Sequence, residues 1–571
     1  MILCIPKNIV DLFLGKLKSG EINPDKLNEM TSKERNEYFK SFMGENNATK
    51  VNALFESKLL LKNQQQGIIN WAKQVSGIKP KVKRDLLSRI EKMTNILQPK
   101  EMDSFLSDLA AQKLGFGVRM EEAGKIADLA KTTSEKKTLI TEDMPDKSQA
   151  RLDYGTSFVL FKDYVGGLKA EAKALTTKEF MLSPGAWIDR IGSTTKSILS
   201  SLDNSFFGRQ GLVTLITNTD IWSKNFNKSW VDIGKELSGV NAILPIKADV
   251  YSRKNALNGK YEAMGLDIGI SGEEAFPSSL PGKIPLLGKL YKASESAYNG
   301  AALRIRVDLA DRLIERAESF GINVKDKEAG LGTLINSMTG RGNVHMTAGQ
   351  ARATNVTIFS VKYVKSQFDV LTAHVFNKKM DFRVKKIAAE NLVKVIGTLG
   401  GILAVSNLLD DESVEFDPRS SNFGKILVGH RHEYAINISA GLGSMVTLAA
   451  RMTPHWHNGK WGWWTKTSNG RVVQINTGKY GESNPIDVVI NFITGKASPI
   501  SRVALDLMKG KTYHGKKPTV EGELVSATTP IPVQNIYQMA QQPGNADVLL
   551  KVLLTALDLL GVGINVKNKR R

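Results

Sequence analysis

The sequence predicts a mainly α-helical, multi-domain protein with a mixed α/β C-terminal part in which apolar helices accompany short strands. Three observations carry this expectation. Through much of the first two thirds of the chain, apolar residues recur at spacings of three and four, which puts a stripe on one face of a helix. Helix start and stop signals bracket several of these segments. Beyond residue 420 the pattern turns partly to alternation, the period of a strand. With 571 residues the chain exceeds one ordinary core, so roughly two to four domains are expected. Composition breaks suggest an N-terminal helical domain over 1–150, a central helical domain over 151–340 and a C-terminal module over 341–571.

At the start, Pro6 suits a first helical turn, and Ile9, Leu12, Phe13 and Leu17 then share a face. The short apolar run before Pro6 does not read as a signal peptide. Thr31 and Glu34 have capping-box spacing, Tyr38, Phe39 and Phe42 follow, and Gly44 is placed as a stop. A longer helix is expected from Ala48 to Gln74. Lys131 to Gln149 is polar with little periodicity and reads as a boundary. Phe206, Phe207, Trp222 and Trp230 read as core. Four prolines between Phe276 and Gly288 mark a loop. The clearest helix runs from Ser294 to Phe320: Leu303, Val307, Ala310, Ile314 and Ala317 make its packing stripe, Gly321 its cap, and Arg304, Asp308 and Arg312 are spaced to pair with one another.

Leu392 to Leu409 is apolar apart from Lys394 and a few small polar residues. It approaches the roughly 20 residues of a membrane span, although a buried helix or helical hairpin is the favoured reading. Asp410 to Glu415 ends it. Phe423 to Ser439 and Val472 to Asn476 read as short strands, and Val548 to Val566 is again apolar around Lys551 and Asp558.

Lys and Arg number 78 against 57 Asp and Glu, a formal charge of +21. Such a surplus favours polyanions, whether nucleic acid or an anionic membrane face. Candidate phosphate contacts are Lys79, Lys81, Lys83 and Arg84 around Pro80, where a solvated linker is the favoured reading over a binding site; Lys509, Lys511, Lys516 and Lys517; and the tail Lys567, Lys569, Arg570 and Arg571. None has a base-reading pattern, so any DNA contact is expected to be non-specific. Candidate membrane contacts are Leu392, Ile396, Leu399, Ile402 and Leu403, with Trp461, Trp463 and Trp464 from a tryptophan-rich segment that could also cap a core. Cys4 is the sole cysteine, so no intramolecular disulfide can form, which fits assembly in a reducing cytoplasm.

Reactive motifs are sparse. Gly495-Lys496 lacks the upstream glycine and the Ser or Thr of a P-loop, and neither G-x-S-x-G nor H-E-x-x-H occurs. His430-Arg-His432 and His455-Trp-His457 are two His-x-His steps. On a strand each would point both imidazoles to one face, but no carboxylate lies at a ligand spacing. The expectation is no catalytic residue, no metal and no cofactor.

Several stretches, taken in order, resemble the large polyvalent proteins of tailed bacteriophages. They are Asp203-Asn-Ser-Phe-Phe-Gly-Arg-Gln-Gly211, Ala293-Ser-Glu-Ser-Ala-Tyr298 with Arg304 and Arg306, Thr339-Gly-Arg-Gly342, Phe359-Ser-Val-Lys-Tyr363, Asp417-Pro-Arg-Ser-Ser-Asn-Phe-Gly-Lys-Ile426 with the apolar run Ala440 to Met452, and Lys496-Ala-Ser-Pro499 leading to Leu505-Asp-Leu-Met-Lys-Gly510. The resemblance spans roughly residues 200 to 560. It implies a virion-associated protein that travels with the genome into the host; longer members carry fused enzymatic domains, for which this chain shows no motif. Combined with charge and hydropathy, the expected role is a non-enzymatic internal virion or ejection protein. Its expected partners are phage DNA, other virion proteins, further copies of itself and a host membrane. Its expected location is the virion, after assembly in the host cytoplasm and before reaching the host envelope. A portal or connector-like ring subunit and a cell-wall hydrolase are the alternatives.

Overall fold

The computed structural model describes residues 30–45, 47–49, 120–180, 206–268, 287–344, 360–429, 432–467, 470–475, 484–510, 517–519, 531–540 and 548–566, with isolated positions elsewhere. The chain is mostly helical, with two small antiparallel sheets near its C-terminal end. Its contacts group it into two units: Met1–Ser183 with Lys247–Lys254, and Pro184–Ile246 with Asn255–Arg571.

In the first unit, α1 (Ser32–Met43) opens with the expected capping box. Thr31 Oγ1 accepts from the Glu34 amide, while the Glu34 carboxylate accepts from the Thr31 amide at 2.8 Å. Gly44 closes it at φ 80°. Phe39 and Met43 pack with Leu27 and Ala48. Helix α2 (Met120–Thr138) packs on α3 (Gln149–Phe180). The boundary expected at Lys131 is therefore helical through Thr138. Thr132 and Thr133 donate their hydroxyls to carbonyls four residues earlier, so these polar side chains decorate the helix without breaking it. Arg151 then locks the turns before α3, donating to Asp146 at 3.0 Å and to the carbonyls of Thr141 and Glu142. The expected helix from Ala48 to Gln74 and the face from Ile9 to Leu17 lie almost wholly outside the described residues, and the Phe276–Gly288 loop does so up to residue 286.

The second unit is organised around α6 (Leu287–Ser319). It packs along α5 (Thr219–Leu237), which follows the short α4 (Leu212–Thr217). The α6 stripe is buried at every expected position. The helix starts seven residues before Ser294, because Tyr291 and Ala293 are buried and extend the same packing surface. Its end carries the predicted glycine: Gly321 has φ 70°, and the Ile322 amide reaches back to the Ala317 carbonyl at 3.0 Å. Within Arg304, Asp308 and Arg312, the Asp308 charge acts on Arg312 as expected, and all three also find partners on or beside α5. Arg304 donates to Asp232 at 2.5 Å, Lys224 to Asp308 at 3.2 Å, and Arg312 to Asp220 and Asn218. Two helices in contact let charges meet across the interface, where they also fill space. Phe206 and Phe207 are core as expected, and Trp222 stacks on Phe226 with its indole N–H donated to the Phe207 carbonyl. Trp230 departs from expectation: it is 48% exposed, on the solvent side of α5.

Next come α7 (Leu331–Met338), α8 (Val361–Phe376) and α9 (Phe382–Leu409), the last capped by Asp381 accepting from the Arg383 amide. Strands β1 (Lys425–Val428), β2 (Tyr434–Asn437) and β6 (Gly563–Val566) form one sheet with β2 central. Between β2 and β6 the chain makes α10 (Leu442–Met452) and a second sheet of β3 (His455–His457), β4 (Lys460–Lys466) and β5 (Val472–Ile475). It then forms α11 (Pro485–Gly495), α12 (Pro499–Lys509), α13 (Ile531–Ala540) and α14 (Val548–Leu559). Tyr434, Met539, Leu554 and Ile564 close a small core between the first sheet and α13 and α14.

Candidate functional site

Several segments that share the phage-protein resemblance converge in the second unit. Arg306, fully buried on α6, donates to Thr339 Oγ1 at 3.0 Å and to the Asp267 carbonyl at 2.9 Å. Asp267 Oδ2 in turn accepts from Arg341 at 2.8 Å and from Lys362 at 2.9 Å. Burial opposes ionisation of Asp267, but the charges of Arg341, Arg306 and Lys362 outweigh it and hold the carboxyl well below the usual carboxylate range. The backbone is equally tight here. Gly340 sits at φ 75° against the Gln210 side chain, and a Cβ at Gly342 would lie 2.5 Å from the Ser366 amide. Either glycine is irreplaceable without moving a neighbour. The Phe206 ring meets that of Tyr298 at 5.6 Å. Phe206, Gln210, Tyr298, Arg306, Thr339, Gly340, Arg341, Gly342 and Lys362, all within those segments, thus meet around Asp267 and Ser366 in one largely buried scaffold whose charges are paired.

The exposed chemistry lies elsewhere. Helix α9 is one continuous helix of 28 residues, neither a hairpin nor buried along its length; of its most apolar 18-residue window, 6% is buried. Val384, Ile387, Ala388, Asn391 and Val395 form its buried stripe, and the described contacts of this helix include α8, α4 and α7. Past Val395 no residue of the helix is buried. Ile396 and Ile402 are exposed, as are Val393, Val405, Leu408 and Leu409, while Leu392, Leu399 and Leu403 are half-buried. It is the one helix among the described residues long and apolar enough to cross a membrane.

The tryptophan segment is a hairpin. Asn458 (φ 46°) and Gly459 (φ 72°) make the two-residue turn between β3 and β4, both residues left-handed as a type I′ turn requires. Trp456 and Trp461 pair across the strands with ring centroids 5.8 Å apart and are 68% and 55% exposed. Trp463 is half-buried and donates to the Met452 carbonyl. Trp464 is buried, donates to the His455 carbonyl and packs edge-on to His457, which leaves it no face for a lipid. His455 and His457 do share a strand face. That face is turned to Arg419, whose guanidinium lies 3.4 Å from His455 Nε2 and 3.3 Å from His457 Nδ1. A guanidinium has only donors, so both ring nitrogens accept. Asp417 holds Arg419 in place through two bonds of 2.9 Å. The sequence offered Asp417-Pro-Arg419 but no sign that it would clamp His455 and His457. Of the other step, His430 lies outside the described residues and His432 has φ 52°. Among the described residues no three His, Cys, Asp or Glu side chains gather as a metal would need.

Of the basic candidates, Lys79, Lys81, Lys83, Arg84, Lys511, Lys516, Lys567, Lys569, Arg570 and Arg571 lie outside the described residues; Lys509 ends α12 and Lys517 is exposed. Apolar rows are exposed on the last helices: Ile486, Ile490 and Ile493 along α11, Val533, Ile536 and Tyr537 along α13, and Val548, Leu549, Val552 and Leu553 along α14. In the sequence only the last of these stood out as apolar; their exposure among the described residues was not legible there. No protein-family model, curated protein or solved structure matches this chain.

Proposed function

We propose that this chain is a non-enzymatic tailed-phage internal virion or ejection protein that accompanies the genome and makes contact with a host membrane through the outer part of α9. The observation that carries this reading is an apolar helix whose inner half is held by packing while its outer half, Ile396 to Leu409, is mostly exposed and has no buried residue among those described. At 1.5 Å per residue that outer half is about 21 Å long, against a hydrocarbon core of about 30 Å, enough to enter a bilayer deeply without crossing it. Lys394, near the junction, can keep its ammonium at the headgroup level by extending its stem. The surplus of basic residues supports a polyanionic partner, DNA or acidic lipid, and the sequence resemblance supports the phage setting. The fold offers a scaffold with its charges paired and no reactive constellation among the described residues, so no reaction is assigned.

The test is co-flotation with anionic liposomes and release of an entrapped dye. Wild-type protein is expected to float and cause leakage, and a chain that does neither removes the membrane role. A ring subunit is the second reading, favoured by the uncovered apolar rows of α11, α13 and α14. Closed rings of defined copy number in electron micrographs, without lipid binding, would establish it instead.

A further inference from the structure

The β3–β4 hairpin carries an independent membrane signature. Its two tip tryptophans are the exposed ones, placed side by side beside a rigid two-residue turn. Indole combines a large apolar body with one polar N–H, and that mixture is most stable in the headgroup layer of a bilayer. The turn fixes the pair before any ligand arrives, so little side-chain freedom remains to be lost on binding.

Charge narrows the partner. From Tyr434 to Gly481, 48 residues, the chain holds no Asp or Glu but five cations: Arg451, Lys460, Lys466, Arg471 and Lys479. Lys466 is satisfied by Glu415, and Arg451 donates to the Arg419 carbonyl. Lys460, beside the turn, and Arg471, before β5, are exposed. Arg471 lies beside Thr467 at the far end of β4, so Lys460 is the cation at the tip, and an apolar tip with an exposed lysine in an acid-free stretch fits an anionic lipid surface. The strap after α9 ties the hairpin to the end of that helix: Glu415 pairs with Lys466, the Lys466 amide donates to the Arg419 carbonyl at 3.3 Å, and the Leu427 amide donates to the Ser413 carbonyl. Movement of one is thereby linked to the other.

We propose that the Asn458–Gly459 hairpin is an interfacial anchor, in which Trp456 and Trp461 enter the headgroup layer of an anionic bilayer while Lys460 meets a lipid phosphate. The proposal rests on the membrane role argued above, and the experiment separates the two. Full-length wild type, Trp456→Ala/Trp461→Ala and Lys460→Glu are floated with vesicles of phosphatidylglycerol and phosphatidylethanolamine, and with phosphatidylcholine alone. Unchanged circular dichroism and denaturation midpoint establish that each variant folds. The wild type is expected to bind anionic vesicles and to be quenched by lipids brominated near the headgroup. Each variant is expected to bind about tenfold more weakly, and the tryptophan variant to lose that shallow quenching. Wild type that does not float overturns the membrane role itself. Wild type that floats while both variants float equally well overturns only the anchor. Loss of single-stranded DNA binding in the tryptophan variant, with vesicle binding intact, would assign the indoles to base stacking and also overturn it.

Discussion

Helix α6 buries two arginines, while the outer part of α9 holds isoleucine, valine and leucine in the open. The two helices belong to the same unit and are of similar length, 33 and 28 residues. Hydropathy alone would assign them the reverse environments. What differs is the supply of partners. Around α6 every buried charge meets a designated acceptor: Asp232 and Asn225 for Arg304, Thr339 and the Asp267 carbonyl for Arg306. Along the outer part of α9 no element among the described residues buries a side chain. Among the described residues, burial follows from which surfaces are matched rather than from hydropathy.

The largest expected effect breaks the matched side of the comparison. Arg304 and Asp232 are both nearly inaccessible, so Arg304→Met strands a buried carboxylate. Unfolding free energy measured in urea should fall by about 3–5 kcal/mol. The double change Arg304→Met/Asp232→Leu should recover most of that loss, since it removes the orphaned charge together with its partner. A single variant as stable as wild type would mean that Asp232 is solvated after all.

Asp267 gives a smaller effect with a pH signature. Asp267→Asn leaves Arg341, Arg306 and Lys362 facing one another and should cost about 2 kcal/mol at neutral pH. Its carboxyl is depressed in the folded state, so its contribution is present above the unfolded carboxylate range and is lost as pH falls through and below that range. The variant should lack that acid limb of the stability curve. If wild type and variant lose stability in parallel on acidification, the three cations are not what Asp267 neutralises.

These two positions also mark how far the sequence could be read. The α6 stripe, its Gly321 cap, the Thr31–Glu34 box and the short strands were legible because each is a local pattern of spacing. The partners of Arg304 and Arg306 were not, because Asp232 and Asp267 lie 72 and 39 residues away and only packing brings them close. Arg304, Asp308 and Arg312 looked like a self-contained charge ladder for the same reason: spacing shows who can meet along a helix and is blind to a second helix alongside. The apolar residues of α9 were legible by hydropathy, yet hydropathy also favoured burial. Whether a greasy helix is covered is a property of its neighbours. Trp464 and Trp461 differ by three positions and look alike in sequence; strand alternation sends one under His457 and the other to solvent.

Asp558 carries the opposite pH slope. Burial in α14 raises its carboxyl, with the Asn535 amide and Arg209 only partly offsetting this, and its Oδ1 has no hydrogen-bond partner among the described residues. A raised carboxyl favours the protonated folded form. Stability is therefore fullest below the unfolded carboxylate range and declines as pH rises through the folded value. Asp558→Asn should stabilise the protein by about 1 kcal/mol at neutral pH and flatten that decline. A destabilised variant would show that the carboxylate is paired in solution.

The smallest expected change in stability is also the sharpest test of the unmatched side. Ile402 is 44% exposed on the outer part of α9, and no described residue there is buried. Replacing it by aspartate removes little packing, so the midpoint in urea should move by no more than about 0.5 kcal/mol. In a bilayer the same carboxylate sits where a charge costs about 3 kcal/mol, so dye release from anionic vesicles should fall steeply. A side chain that belongs to the fold would show both losses together. One that belongs to a membrane contact loses function alone, and Ile402→Asp paired with Arg304→Met separates the two regions in a single set of measurements.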